Sequence, residues 1–378
     1  MRRSKPLSAC AVSLLACLAL CLVPHCVAGA DEHPQPAPSS VSCANCHEAQ
    51  ARTQPDTFMG RALALPGGNP VLDAHPDLVV HKGDYTYTVE TRNGHSTYSV
   101  SNGSDTLSAP ILWSFGAGNQ TWLVERSGRF YESLVSYYAS IDGLDTTTGD
   151  ATIAPATIDQ AFGRELDPID TRACFGCHST NSTVDGRLAL ATLHPGIACD
   201  RCHADSLEHQ ASMVSGDLTR YPPDLRRLSP EDLSTLCGQC HRTWEMVVRS
   251  HWRGEANVRF QPYRLANSRC FDGNDPRISC ITCHDPHQPL VRDLAFYDAK
   301  CLACHNLATH SSSERTVRHD ANATQKVFGA SSSEAKSCPV AGSKCVTCHM
   351  PRTRMLGGHL IFTDHEIRVV HPGDAYPD

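Results

Sequence analysis

The string C-x-x-C-H occurs seven times in this 378-residue chain: at Cys43-Cys46-His47, Cys174-Cys177-His178, Cys199-Cys202-His203, Cys237-Cys240-His241, Cys280-Cys283-His284, Cys301-Cys304-His305 and Cys345-Cys348-His349. These motifs take fourteen of the twenty cysteines, and four of the other six lie before residue 30. Chance accounts for one such match, not for seven with a histidine directly after the second cysteine each time. The spacing is that of covalent c-type haem attachment. Two thiols on one helical turn can add to the two vinyl groups of haem, and the adjacent histidine is then held under the ring, where its imidazole ligates iron. A zinc ribbon needs paired C-x-x-C knuckles but gains nothing from a histidine after every one. A thioredoxin-like dithiol occurs once, beside a βαβ pattern. The motifs therefore imply seven covalently attached c-type haems, with His47, His178, His203, His241, His284, His305 and His349 as proximal iron ligands.

Residues 1–30 read as a secretory signal: Arg2, Arg3 and Lys5, an apolar run over 7–23, and a small-residue cleavage site at Ala28-Gly29-Ala30. The run is too short and wrongly flanked for a membrane span, and no later segment is apolar enough for one. Cys17 sits in a loose lipobox-like context, LLAC, but the apolar stretch continues past it. The paired arginines resemble a twin-arginine signal, a route disfavoured because haem attachment needs an unfolded chain outside the cytoplasm. The expected location is the periplasm or beyond, which agrees with the haem motifs. Residues 31–42 (DEHPQPAPSSVS) read as a linker, with His33 solvated. Removing residues 1–30 leaves 30 Lys and Arg against 40 Asp and Glu, a formal charge of −10. Haem propionates would add to that, so the balance argues against nucleic acid and leaves basic redox proteins as the expected partners. Nothing in the sequence names the donor or the acceptor, or sets the oligomeric state.

A mature chain of this length ordinarily implies two or three domains. Aromatic residues make up only 6% of it, which looks underpowered for a conventional core. Seven flat apolar haems can take the place of such a core. The expected fold is therefore mostly α and irregular, a haem-packed multihaem cytochrome c array with a small antiparallel β module between the first and second motifs. Residues 43–78 are the first haem segment, 79–138 the β module and 139–378 a six-haem domain. The later motifs start at intervals of 25, 38, 43, 21 and 44 residues, too unequal for tandem duplication. Within the β module, YTYTVETRNGHSTYSV (85–100) alternates around Asn93-Gly94, the strongest short hairpin signal. Ser127-Gly128 marks a second turn, and four to six strands are expected. Trp113, Phe115, Trp122 and Tyr131 belong to the core of this sheet or pack on the first haem. Further on, DQAFGRELDP (159–168) leads into the second motif. SPEDLSTLCGQCHRTWEMVVRSHW (229–252) has a serine, a proline and early acids, which mark a helix start ahead of the fourth. Residues 306–344 read as a surface loop.

Of 21 histidines, removing the seven proximal ones, His25 and His33 leaves twelve, enough to cap the second face of every iron. His287 lies three residues after His284, too close to reach round the same ring; as a ligand it must serve a different haem. His251, ten residues past His241, demands another haem in the same way. His194 and His209 bracket the third motif, and His359 and His365 follow the last. For the first haem His75, His81 and Met59 compete. A Met ligand would raise that haem's potential; the other reading of Met59 is packing against the ring. Met350 reads as structural and His95 as surface, with His310, His319 and His371 the weaker candidates. Cys270 and Cys338 lie outside the motifs. An oxidising compartment favours a disulfide between them, with two separate buried thiols as the alternative.

HPGIACDRCH (194–203) followed by His209, CITCHDPH (280–287), and CVTCHMP (345–351) with its trailing FTDH (362–365) carry a resemblance. They resemble multihaem c-type cytochromes of the superfamily that includes nitrifier tetrahaem cytochromes, octahaem hydroxylamine oxidoreductases and pentahaem nitrite reductases. The resemblance implies that the histidines after such motifs are distal ligands, which ranks His194, His209, His287 and His365 highest. The chain also looks like environmental bacterial cytochromes in which a stretch like FGAGNQTWLVERSGRFYESLVSYY precedes the main haem cluster and the end reads like VVHPGDAYPD. Pentahaem nitrite reductases carry a C-x-x-C-K catalytic haem, whereas every motif here ends in histidine. Octahaem hydroxylamine oxidoreductases have eight haems, against seven sites here. Neither reaction carries over. Two functions remain: electron transfer through closely packed six-coordinate haems, or an oxidoreductase with one open iron acting on a small nitrogen, sulfur or oxygen species. The first motif, standing apart beside the β module, is the place for that open iron, with His81, or Tyr85 and Tyr87, as pocket residues; the stronger reading of these three is as strand and surface residues.

Overall fold

The antiparallel pairing predicted around Asn93-Gly94 is present, in a sheet larger than the sequence led one to expect. Strands β2 (Asp77–Lys82), β3 (Tyr85–Arg92), β4 (His95–Ser101), β5 (Thr106–Phe115), β6 (Thr121–Arg126) and β7 (Arg129–Ser133) lie side by side in chain order. A β1 segment (Leu63–Ala64) pairs with the far end of β5. A separate hairpin, β8 (Val135–Tyr138) with β9 (Gly143–Thr146), follows, and β10 (Gly163–Glu165) adds to the free edge of β7. The computed structural model describes residues 43–150, 154–305, 338, 341–355, 358–371 and 373–377. The expected signal and linker, most of the 306–344 loop, and His310 and His319 lie outside the described residues.

Local chemistry sets the turns. Asn93 and Gly94 take φ of 54° and 77°, and Ser127 and Gly128 take 53° and 74°. Two successive positive φ values form the tight turn whose twist matches the flanking strands. In β4 the alternation puts Ser96, Tyr98 and Val100 inside while their neighbours stay at least partly accessible. The register of β5 shifts between Ile111 and Trp113: its first half pairs with β4, its second half with β6. Such an irregularity bends a strand, and here it divides the apolar residues into two cores. One centres on Tyr87, Tyr98, Trp122 and Phe162. The other joins Leu63, Trp113, Leu123 and Leu193 to Phe175, the first of the two residues between the cysteines of the second motif.

This corrects the expectation of a mostly α, haem-packed array. The described residues are about 34% helix and 24% strand, with a large curled antiparallel sheet. The sheet also exceeds the 79–138 span, because Leu63–Ala64 and Gly163–Glu165 complete its edges. The misjudgement came from averaging: ten of the 24 aromatic residues fall within 85–138. That concentration builds a conventional core where the whole-chain figure suggested none. Each fully buried large side chain there contributes about 1.5–3 kcal/mol relative to exposure. Among the described residues beyond 165 the chain is short helices and loops, together with small two-stranded pairings that were not expected. A third, smaller core of Val247, Phe260 and Tyr263 lies there.

Asp145 of β9 pins β2 and the C-terminal region together, binding Lys82 Nζ and, at 2.6 Å, His359 Nε2. Burial alone would raise this carboxyl, but the hydrogen bonds from His359 and Lys82 outweigh it and hold it down to about 2. Its folded value lies below the unfolded one of about 3.9. Its stabilisation is therefore present above pH 4 and lost as pH falls towards 2. Asp145→Asn is expected to cost about 1–2 kcal/mol at pH 7. Denaturant melts should show the gap from the parent protein narrowing between about pH 4 and pH 2; a constant gap would mean the carboxylate charge is not what holds the contact.

Candidate functional site

Several of the C-x-x-C-H units are anchored by capping or close backbone contact. The helix Pro168–His178 carries the second motif; Asp167 caps it, accepting from Ile169 N and Asp170 N, both at 2.7 Å. The helix Pro230–His241 carries the fourth. Ser229 caps it at 3.1 Å from Asp232 N, and Arg242 at φ 64° ends it, so a separate helix, Trp244–Arg249, follows. Both caps satisfy backbone donors that the first helical turn leaves without partners. On the sixth-motif helix Leu294–His305, Asp298 accepts from Lys344 N and Cys345 N at 2.6 and 2.7 Å, docking the seventh-motif helix Cys345–His349.

The first motif docks on the third. Gly196 has φ +75°, and a Cβ there would stand 1.9 Å from the Gly60 carbonyl oxygen, so only glycine permits the approach. Gln54 Nε2 donates to Ile197 O at 2.6 Å, and Ile197 N donates to Met59 O at 3.0 Å. Gln210 of the helix Ser206–Ser215 reaches the Cys43 sulfur at 3.6 Å.

Through such contacts all seven motifs join one connected cluster. Thiols meet between motifs one and three at Cys43 and Cys199, two and four at Cys177 and Cys240, and four and five at Cys237 and Cys280. Cys202 lies near Cys237 and Cys240, Cys283 near Cys301, and Cys301 near Cys345. Arg201 ties three motifs together, donating to Gln239 Oε1 at 3.0 Å and Gly176 O at 3.4 Å and reaching Cys240 Sγ at 3.9 Å. Burial pushes the Cys174 thiol up to about 11.

Three of the motif histidines are each faced by a histidine from elsewhere in the chain. Ring centroids are 6.4 Å apart for His47 and His209, 6.1 Å for His203 and His287, and 6.1 Å for His284 and His365. Two metal–nitrogen bonds of about 2 Å, with about 1 Å from each nitrogen to its ring centre, place two axial imidazoles about 6 Å apart. Each facing histidine follows one motif and meets another: His209 follows motif three and faces one, His287 follows five and faces three, His365 follows seven and faces five. His287, expected to serve a haem other than that of His284, lies opposite His203, and two further pairs share this arrangement.

The ring nitrogens are arranged to suit. Nδ1 lies within hydrogen-bonding distance of an oxygen in His209 (Arg220 O, 2.7 Å), His287 (Asp285 Oδ1, 3.2 Å) and His365 (Thr363 O, 3.0 Å). The proximal His178, His241 and His349 do the same, to Ala62 O at 2.9 Å, Gln261 Oε1 at 3.1 Å and Arg368 O at 3.0 Å. A hydrogen bond at Nδ1 sets the tautomer that leaves Nε2 as the donor atom for a metal. Burial lowers the basicity of His178 and His284 and brings His365 down to about 4, keeping it in the neutral form that ligates. Among the described residues no group of three or more His, Cys, Asp or Glu side chains converges on one point. Facing imidazole pairs are a different arrangement, and the three pairs have the spacing that two imidazole ligands of one haem iron would need.

Other candidate ligands are placed elsewhere. His75 directs Nε2 to Tyr137 OH at 3.0 Å and lies near Asp142, within the β region. His359 uses Nε2 on Asp145, and His81 bonds Thr86 at 2.9 Å. His194 is exposed on a two-residue pairing with Thr180, and His251 is exposed at φ 52°. His95 and His371 are exposed. Met59 contributes its backbone carbonyl to the Ile197 contact. No disulfide joins Cys270 to Cys338; the Cys270 thiol lies near Cys304 and Cys283. Trp113 and Phe115 pack on the second motif's Phe175, and Phe115 also meets His178, rather than packing on the first. Sequence reasoning passed over Arg201 and Asp298, whose roles depend on contacts that no local pattern signals.

Comparison with known proteins adds no relative: no family model, no curated protein and no solved structure matches the chain. Among the described residues no helix is long and apolar enough to cross a membrane.

Proposed function

We propose that this chain is an exported heptahaem c-type cytochrome that carries electrons between redox proteins through a connected set of covalently held haems. The observation that carries the reading is the three stitched histidine pairs, each spaced for two axial ligands on one iron. Haem bound at these motifs supplies a one-electron iron couple. The protein's part is to hold the thiols in place for attachment, to orient Nε2 through Nδ1 hydrogen bonds and, at the three paired motifs, to cap both iron faces so that no substrate binds there. The histidine pairs link motif one to three, three to five and five to seven, and the thiol contacts link four to both three and five, and six to both five and seven. Such adjacency favours electron transfer between neighbours. The open-iron alternative was placed at motif one, and His209 stands across from His47 there.

The test is covalent haem per chain together with an EPR spectrum of the oxidised protein. Seven haems that are predominantly low-spin agree with the proposal. A chain without haem would overturn it, and a stoichiometric high-spin iron would move the reading towards an oxidoreductase. Serine at both Cys345 and Cys348, in the seventh motif, is expected to lower the covalent haem content by one, read as a single haem mass lost from the intact chain. Retention of the full complement would separate this motif from haem attachment.

A further inference from the structure

We infer that Arg264 and the C-terminal tail form a positioning clamp that holds His365 in place as the axial ligand opposite His284, an inference that rests on the ligand pairing proposed above. Arg264, on the helix Gln261–Ala266, is 1% exposed, and so cannot act through solvent. Its guanidinium donates to both carboxylate oxygens of Asp364, each at 2.9 Å, and lies 2.5 Å from Glu366 Oε2. Asp364 and Glu366 flank His365 in the chain. In extended backbone alternate side chains point to opposite sides; here the two carboxylates meet Arg264 while the imidazole between them faces His284. Whatever fixes one side therefore sets the aim of the other.

The clamp is closed from both ends. Arg264 Nη1 donates to Pro377 O at 3.1 Å, and the Tyr376 ring centre lies 4.5 Å from the guanidinium carbon. Arg368 adds a second cation on Asp364 at 2.6 Å. Ser268, just past the helix, donates to His365 O at 3.1 Å and accepts from Ile367 N at 2.7 Å, pinning the backbone on either side of Glu366. A planar guanidinium can hold one carboxylate by two parallel bonds and still reach a second. A lysine at the same place is a single point donor and cannot do both.

The test compares Arg264→Lys, Glu366→Gln and His365→Ala by EPR of the oxidised protein, at matched haem content per chain. Arg264→Lys is expected to produce a new high-spin ferric signal approaching that of His365→Ala, and added imidazole should return both to low spin. Glu366→Gln, which leaves the Asp364 pair intact, is expected to give a smaller signal and covers the case in which Arg264→Lys does not fold. In the double variant Arg264→Lys/His365→Ala the signal should be no larger than in His365→Ala alone, which a general loss of stability would not produce. If His365→Ala adds a high-spin signal while Arg264→Lys and Glu366→Gln match the parent spectrum, the clamp is overturned and the ligand pairing stands. If His365→Ala itself matches the parent, the pairing fails and the clamp with it.

Discussion

Replacing His287 with alanine is expected to add one high-spin ferric signal per chain and to leave the covalent haem content unchanged. The His287 ring lies 6.1 Å from that of His203 and within 12° of parallel to it. Its Nδ1 lies 3.2 Å from Asp285 Oδ1, which leaves Nε2 without that contact. Its backbone carbonyl accepts from Thr53 Oγ1 at 2.7 Å, a contact the substitution leaves in place. The loop should therefore keep its path, leaving a space that added imidazole can fill to restore the low-spin spectrum. His75→Ala and His359→Ala are the matching controls. Their Nε2 atoms are engaged by Tyr137 and Asp145, so these variants should leave the spin state unaltered. An unchanged spectrum in His287→Ala would remove motif three from the stitched row and with it the repeat that supports the ligand pairing.

The largest stability effect is expected at Phe175. This side chain sits inside the second motif, is fully buried, and meets Trp113 and Phe115 edge-on with ring centres 5.6 and 5.3 Å away. Truncating a buried phenylalanine costs about 3–5 kcal/mol through lost transfer free energy and the cavity left behind. Edge-to-face aromatic pairs account for about 0.5–1.5 kcal/mol of such contacts beyond the buried area. Phe175→Ala should therefore lower unfolding stability by several kcal/mol in a denaturant melt followed by far-UV circular dichroism. Phe58→Ala, at a side chain 49% exposed, should stay within about 0.5 kcal/mol. A small effect at Phe175 would mean that the second motif is held to the sheet by Asp167 capping and the His178–Ala62 contact rather than by aromatic packing.

Local features proved legible where the cause is local. Asn93-Gly94 and Ser127-Gly128 turn the chain because those residues tolerate the backbone angles required. Ser229 starts a helix because its hydroxyl accepts from Asp232 N three residues on. The extent of the sheet was not legible. Leu63–Ala64 and Gly163–Glu165 are too short to show a period of two, and become strands only because β5 and β7 offer them free edges. The ligand candidates divided along the same line. His287 was singled out by its spacing from His284, yet which haem motif it meets is set by docking of the segment around Thr53.

The sequence by itself determined seven C-x-x-C-H units and the histidine that closes each, since each unit lies within five consecutive residues. It also determined a surplus of imidazoles. Only the tertiary structure decided which of them face a motif. Whether a ring directs Nε2 at a partner or spends it on Tyr137 or Asp145 depends on oxygen atoms tens to hundreds of residues away. The clamp on His365 has the same origin: Asp-His-Glu is an ordinary tripeptide until a buried guanidinium 100 residues earlier in the chain meets both of its carboxylates.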